Sequence, residues 1–206
     1  MKIKVCGMKY PGNIKELSAL QPDYMGFIFY EKSKRYAGDL DPDILLSLPG
    51  TIGKTGVFVN EDPDRIIKNT KKFFIKTIQL HGEETPDLCR YLKKTGLEVI
   101  KAIPVLNEGD VQQAYLYVHC CDYLLFDTKT PLHGGSGEQY DWKILENYKG
   151  ETPFFLSGGI GMEDIPRILS FCHPGFYGVD VNSKFEEDGI SKNTFLLNDF
   201  IGRLRH

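Results

Sequence analysis

The sequence predicts an α/β protein, folded as a (β/α)8 TIM barrel of eight parallel strands that spans residues 1–206 as a single domain. Three observations carry that expectation. Short β-branched or apolar runs alternate with amphipathic segments along the whole chain, separated by loops of a few residues. Eight such pairs fit into 206 residues, near the lower length limit of the barrel. No G-x-G-x-x-G turn follows the first run, where a doubly wound sheet that binds dinucleotides would carry one.

Strands are expected over 3–5, 24–29, 54–59, 75–80, 98–105, 123–127, 153–156 and 176–181, all rich in β-branched, aliphatic or aromatic residues. Between them, helices are expected over 13–20, 42–48, 63–71, 86–94, 110–118, 142–148, 163–170 and 193–204, where apolar residues recur three or four apart. In chain order, Gly7 turns the chain away from the first strand, and a long polar loop follows the second. Asp41-Pro42, Asp62-Pro63 and Thr85-Pro86 each set a capping side chain before a proline in the first helical turn. Gly96 stands where the helix over 86–94 should stop, and Asp141-Trp142 opens the one over 142–148.

Composition narrows the function. With 41% hydrophobic and 26% charged residues the chain can bury one full core and leaves little room for a second domain. A formal charge of −3 without runs of like charge gives no basic footprint for nucleic acid, so the expected ligand is small. There is no signal-peptide core and no apolar run of membrane-spanning length, so a cytoplasmic protein without a membrane partner is expected. Five cysteines, with Cys120 and Cys121 adjacent, match neither a zinc pattern nor a disulfide framework and read as reduced thiols. Monomer and homodimer both stay open.

In such a barrel the carboxyl ends of the strands carry the chemistry. Asp127 ends the sixth strand in LLFDT, ahead of the glycine-rich run Gly134-Gly135-Ser136-Gly137, which makes it a catalytic candidate. Cys6, in KVCGMK, ends the first strand; a free cysteine is more often a small buried hydrophobe, so alone it is a weak signal. Alternation puts Lys4 on the same inward face, roughly 7 Å earlier. A buried lysine needs a partner, and Asp180 in YGVDVNS, on the strand that neighbours the first in a closed barrel, supplies one. That pair is expected to hold positive charge near Cys6 and favour its thiolate.

In FIFYEKSKRYAG, Lys32, Lys34 and Arg35 lie beside Tyr36. Most such side chains are merely solvated, but an arginine at the mouth can grip a carboxylate or phosphate with two parallel hydrogen bonds. Gln79 and His81 share the inward face of IQLHGEE; without further ligands at matching strand ends, His81 reads as a polar substrate contact and not a metal ligand. Gly158-Gly159 after strand seven and Asn182-Ser183 after strand eight fall in the barrel's habitual phosphate site.

The segments KVCGMK, GFIFYEKSKRY, GVFVNE, IQLHGEE, KAIPV, LLFDT, GGSGEQYDW, FLSGGI and GVDVNSKFE, in this order, resemble the phosphoribosylanthranilate isomerase family over nearly the whole chain. The resemblance implies an Amadori rearrangement of N-(5-phosphoribosyl)anthranilate to 1-(2-carboxyphenylamino)-1-deoxyribulose 5-phosphate, a step of tryptophan biosynthesis needing no metal or cofactor. By resemblance Asp127 is the general acid for the ring oxygen and Cys6 the base for the sugar C2 proton. Arg35 binds the anthranilate carboxylate, His81 lines the same cleft, and Gly158, Gly159, Asn182 and Ser183 take the phosphate. Ordinary pKa values of about 3.9 for aspartate and about 8.5 for cysteine mean that each group must shift toward neutrality. The last loop departs from the family's usual SSG-V-E: Lys184 replaces the glycine, and its ammonium is a further candidate phosphate contact.

Two other readings share the phosphate loops. One is a metal-dependent epimerase barrel, which needs metal ligands on several strand ends. The other is a silent barrel that binds a phosphorylated metabolite, for which a matched acid and base would serve no purpose.

Overall fold

The computed structural model describes residues 1–128 and 139–205. Eight parallel strands close into a barrel in sequence order: β1 (Lys2–Val5), β2 (Tyr24–Ile28), β3 (Gly53–Phe58), β4 (Thr77–Leu80), β5 (Glu98–Val105), β6 (Tyr123–Thr128), β7 (Phe154–Leu156) and β8 (Phe176–Val181). Pairing of β1 with both β2 and β8 closes the cylinder. All eight expected strands form, with ends displaced by at most two residues.

The α-helices are α1 (Pro11–Ser18), α2 (Pro42–Leu46), α3 (Pro63–Lys72), α4 (Pro86–Lys94), α5 (Glu108–Gln112), α6 (Ile165–Ser170) and α7 (Thr194–Arg205). The three expected caps form: Asp41 accepts from the Asp43 N–H, Asp62 from those of Asp64 and Arg65, and Thr85 from that of Leu88. Gly96 takes φ +92 after α4, a left-handed conformation that glycine adopts without strain.

Three expected helices depart from the α form. The one over 110–118 starts earlier, because a capping box between Asn107 and Asp110 fixes the start of α5, and it continues as a 3-10 turn over Gln113–Tyr117. The one over 142–148 is 3-10 throughout, Trp142–Asn147; its buried anchors Trp142 and Leu145 are three apart, the spacing that stacks side chains in a 3-10 helix. The one over 163–170 opens with a 3-10 turn, Met162–Asp164, before α6. Among the described residues no helix is long and apolar enough to cross a membrane.

Two cores result. The larger lies between strands and helices; the smaller fills the barrel with Ile100, Ala102, Leu125 and Phe155, against which Tyr24, Tyr123 and Tyr177 pack. These tyrosines come from the amino ends of β2, β6 and β8, and their hydroxyls meet, Tyr24 to Tyr177 at 3.2 Å and Tyr123 to Tyr177 at 3.3 Å. They floor the barrel. Below, a cavity of about 630 Å³ opens at the amino end, lined among others by Tyr24, Tyr177, Lys54, Lys76 and Glu98.

A buried clasp fixes the exit of β4. Lys101, on the outward face of β5, donates to Glu84 at 3.0 Å and to the carbonyls of Gly82 at 2.7 Å and Leu80 at 3.2 Å. Glu84 in turn accepts the N–H groups of Asn60 and Gly82, each at 2.9 Å to its nearest oxygen. Replacing Lys101 by methionine leaves Glu84 buried without its counter-charge. Urea unfolding should show a loss of about 3–5 kcal/mol, against near-wild-type stability if the clasp carries no weight.

Candidate active site

The floor of the mouth is an ion pair. Lys4 and Asp180 are register partners across β1 and β8, and Lys4 Nζ lies 2.8 Å from Asp180 Oδ1. The expected pair therefore exists, with Lys4 wholly buried and the Ser157 hydroxyl 3.5 Å from the second Asp180 oxygen. Burial is the largest influence on Lys4 and opposes its charge, but Asp180 and the Cys6 thiol together outweigh it and hold its pKa above the ordinary value. Burial also pushes the Asp180 carboxyl up, against the pull of Lys4.

Cys6 follows β1 directly, its N–H bonded to the Val181 carbonyl at 2.9 Å. A Cβ on Gly26 would come within 2.7 Å of Cys6 Sγ, so β2 makes room for the sulfur by carrying no side chain there. The expected thiolate is corrected. Burial, the strongest influence, pushes the Cys6 thiol up; Asp180 reinforces it, and the pull of Lys4 and Lys192 in the other direction does not compensate.

Across the barrel, β6 carries Asp127 to the same carboxyl end, three strands from β1 around the cylinder. Asp127 Oδ1 accepts the Thr128 N–H at 3.0 Å, and Oδ2 lies 3.3 Å from His81 Nε2. Both side chains are partly open, Asp127 at 15% and His81 at 19% of full exposure. The Gln79 amide nitrogen is 2.8 Å from His81 Nδ1. An amide nitrogen only donates, so Nδ1 accepts and the proton of a neutral ring sits on Nε2, toward Asp127.

The loop after β7 places Gly158 at φ +94 and Gly159 at φ +65, both left-handed. A Cβ on Gly158 would stand 2.1 Å from Thr128 Oγ1, so a side chain there would collide with the strand bearing Asp127. After β8, Asn182 and Ser183 lead into a short 3-10 turn over Ser183–Phe185. Lys184, the candidate extra phosphate contact, has its ammonium 3.7 Å from Glu163 on the facing loop. The run Gly134-Gly135-Ser136-Gly137 lies outside the described residues.

Arg35 reaches the rim already engaged. Its Nε and Nη2 donate to the two oxygens of Glu186 at 2.6 and 2.7 Å. Lys192 Nζ donates to Glu186 Oε1 and to Asn182 Oδ1, both at 2.6 Å. Burial works against the Glu186 charge, but Arg35 and Lys192 outweigh it and hold the carboxyl below its usual range. Burial pushes the Lys192 ammonium down despite Glu186. The sequence reading gave no role to either residue: Glu186 appears there only as the last letter of a loop pattern, and no motif marks Lys192.

Cys6, Arg35, His81, Asp127, Gly158, Gly159, Asn182, Ser183 and Lys184 thus stand at one end of the barrel, on the ends of β1, β2, β4, β6, β7 and β8 or the loops just beyond. Among the described residues no three His, Cys, Asp or Glu side chains converge to hold a metal ion.

The family model for N-(5'-phosphoribosyl)anthranilate isomerase matches residues 3–202. A relative from Phocaeicola vulgatus bearing that name is 43% identical over 205 residues, covering 100% of this chain and 98% of its own. The crystal structure of phosphoribosyl anthranilate isomerase from Thermotoga maritima superposes with a TM-score of 0.88 at 33% identity, covering 100% of this chain and 98% of that one. Two further structures share a TM-score of 0.82, 30% identity and the same coverage. One is a complex with reduced 1-(o-carboxyphenylamino)-1-deoxyribulose 5-phosphate; the other holds monomers generated from the dimeric Thermotoga maritima protein.

The raised Cys6 thiol has a sign that can be measured. Iodoacetamide labelling of Cys6, read by mass spectrometry in a Cys172→Ser background, should be slow at about pH 7 and still climbing above about pH 9. A plateau below about pH 8 would mean the thiolate is already favoured.

Proposed function

The chain belongs to the N-(5'-phosphoribosyl)anthranilate isomerase family, and we propose that it carries out the family's reaction with Asp127 as general acid and Cys6 as general base. The reaction isomerises N-(5'-phosphoribosyl)anthranilate in tryptophan biosynthesis, which sets aside the epimerase and the silent binder. One observation carries the residue assignment: a carboxyl and a thiol end on the same rim from nearly opposite strands, each beside a charged or polar partner, His81 for Asp127 and Lys4 for Cys6.

Asp127 protonates the ribose ring oxygen. The C1–O bond breaks, the anthranilate nitrogen supplies its lone pair, and a cationic Schiff base forms. Cys6 then removes the C2 proton, and the electrons of the C–H bond flow to the nitrogen to give a neutral enolamine, which tautomerises to the ketone. The raised thiol fits this order of events. The thiol proton passes to water at the mouth, and the cation arising beside Cys6 adds to the pull of Lys4 toward the thiolate at the stage that needs a base.

His81, with its proton on Nε2, orients the Asp127 carboxyl. Arg35 takes the anthranilate carboxylate, a planar acceptor matched to a guanidinium. Gly158 and Gly159 offer backbone N–H groups to the phosphate, with Asn182 and Ser183 on the facing loop. A phosphorylated substrate does not leak across membranes, which supports a cytoplasmic location. The dimeric Thermotoga maritima relative supports a homodimer, and a single-chain mass by light scattering would refute that assembly.

Asp127→Asn and Cys6→Ala should each lower turnover at least about a hundredfold with a smaller change in substrate binding. Anthranilate fluorescence of the substrate reads the loss. Retention of more than about a tenth of wild-type turnover by either variant would remove that residue from its role.

A further inference from the structure

We propose that Glu186 and Lys192 are positioning residues that aim the free edge of the Arg35 guanidinium at the substrate carboxylate. The inference rests on the reading of Arg35 as the carboxylate ligand.

A guanidinium offers a carboxylate more than one two-donor edge, and Glu186 takes only the edge formed by Nε and Nη2. Among the described residues Nη1 has no hydrogen-bond partner, so the edge formed by Nη1 and Nη2 remains for a second carboxylate. The side chain is held from behind as well. A Cβ on Gly7 would lie 2.6 Å from Arg35 Cδ, so the arginine stem crosses the turn after β1 at a point where only glycine leaves space. Arg35 is thereby held against the Gly7 turn, with little freedom to swing.

Charge explains why a third member is needed. A lone Glu186 would neutralise Arg35 and repel an incoming carboxylate. Lys192, with a side chain 0% exposed, cancels the Glu186 charge from the protein side, so the trio keeps a net single positive charge for the ligand. Its placement is fixed by the fold: an isolated antiparallel bridge joins Glu186 to Lys192, and Asn13 bonds both the N–H and the carbonyl of Lys192 at 2.8 Å. Lys192 is fully buried, and its ammonium is engaged by Glu186 and Asn182. It acts through Glu186, and through Asn182 on the loop after β8.

The test compares the anthranilate-linked substrate with its aniline-linked counterpart, which lacks the carboxylate. Glu186→Gln should raise KM for the anthranilate compound about tenfold, change kcat by less than about threefold, and leave the aniline compound nearly unaffected. Glu186→Asp, which keeps the charge but shortens the arm, should show the same split. Lys192→Gln should cost more than Glu186→Gln, because it leaves an uncompensated carboxylate on Arg35, and the double variant should recover part of that loss. In an Arg35→Ala background the Glu186 effect should vanish. If Arg35→Ala discriminates between the two compounds while the Glu186 variants affect both equally, or neither, the positioning role is wrong and the Arg35 assignment stands. If Arg35→Ala itself does not discriminate, the carboxylate reading of Arg35 fails and this inference fails with it.

Discussion

The barrel closes on a buried charge pair. Lys4 and Asp180 sit opposite each other on the first and last strands, the one seam whose partners are separated by almost the whole chain. Placing two charges there costs several kcal/mol of desolvation each, which an apolar pair of similar volume would not. Strand closure alone does not require it. The position of the pair directly beneath Cys6, with Ser157 of the neighbouring loop on its far side, shows where that cost is directed: toward the potential felt at the mouth.

The same logic runs around the rim. Asp127 faces His81, Glu186 lies between Arg35 and Lys192, and Lys184 stands near Glu163. Each acid has a basic or imidazole neighbour, and the arginine trio keeps one positive charge unmatched. A ligand carrying both a carboxylate and a phosphate meets fixed donors and does not have to recruit mobile side chains, so little reorganisation is needed on binding. The polar groups of the rim hold one another in place, whereas burial pushes the Cys6 thiol up against the pull of Lys4 and Lys192.

Much of this was legible in the sequence because strands have a period of two and the barrel has a fixed order. Alternation put Lys4 and Cys6 on one face, and closure put Asp180 next to Lys4, with no appeal to any relative. The proline-led caps marked the starts of α2, α3 and α4 for equally local reasons. What could not be read was whatever depends on burial or on groups meeting through space. The thiol shift is set by desolvation at a site that only the assembled barrel defines. The arginine trio joins the loop after β2 to residues more than 150 positions later, through an isolated bridge that leaves no periodic trace. The 3-10 segments escaped for a third reason: apolar spacing of three is shared by α and 3-10 helices, and short segments do not separate them.

The tyrosine floor has a consequence for traffic. Tyr24, Tyr123 and Tyr177 join hydroxyls beneath Phe155 and Leu125, so among the described residues the amino end of the cylinder is plugged and the carboxyl end is the doorway. A reactant and the ketone derived from it must then pass through the same opening, in turn. Occupancy by either shuts out the other, so accumulated product should inhibit by direct competition, and throughput in a cell depends on how fast the next enzyme clears the threshold.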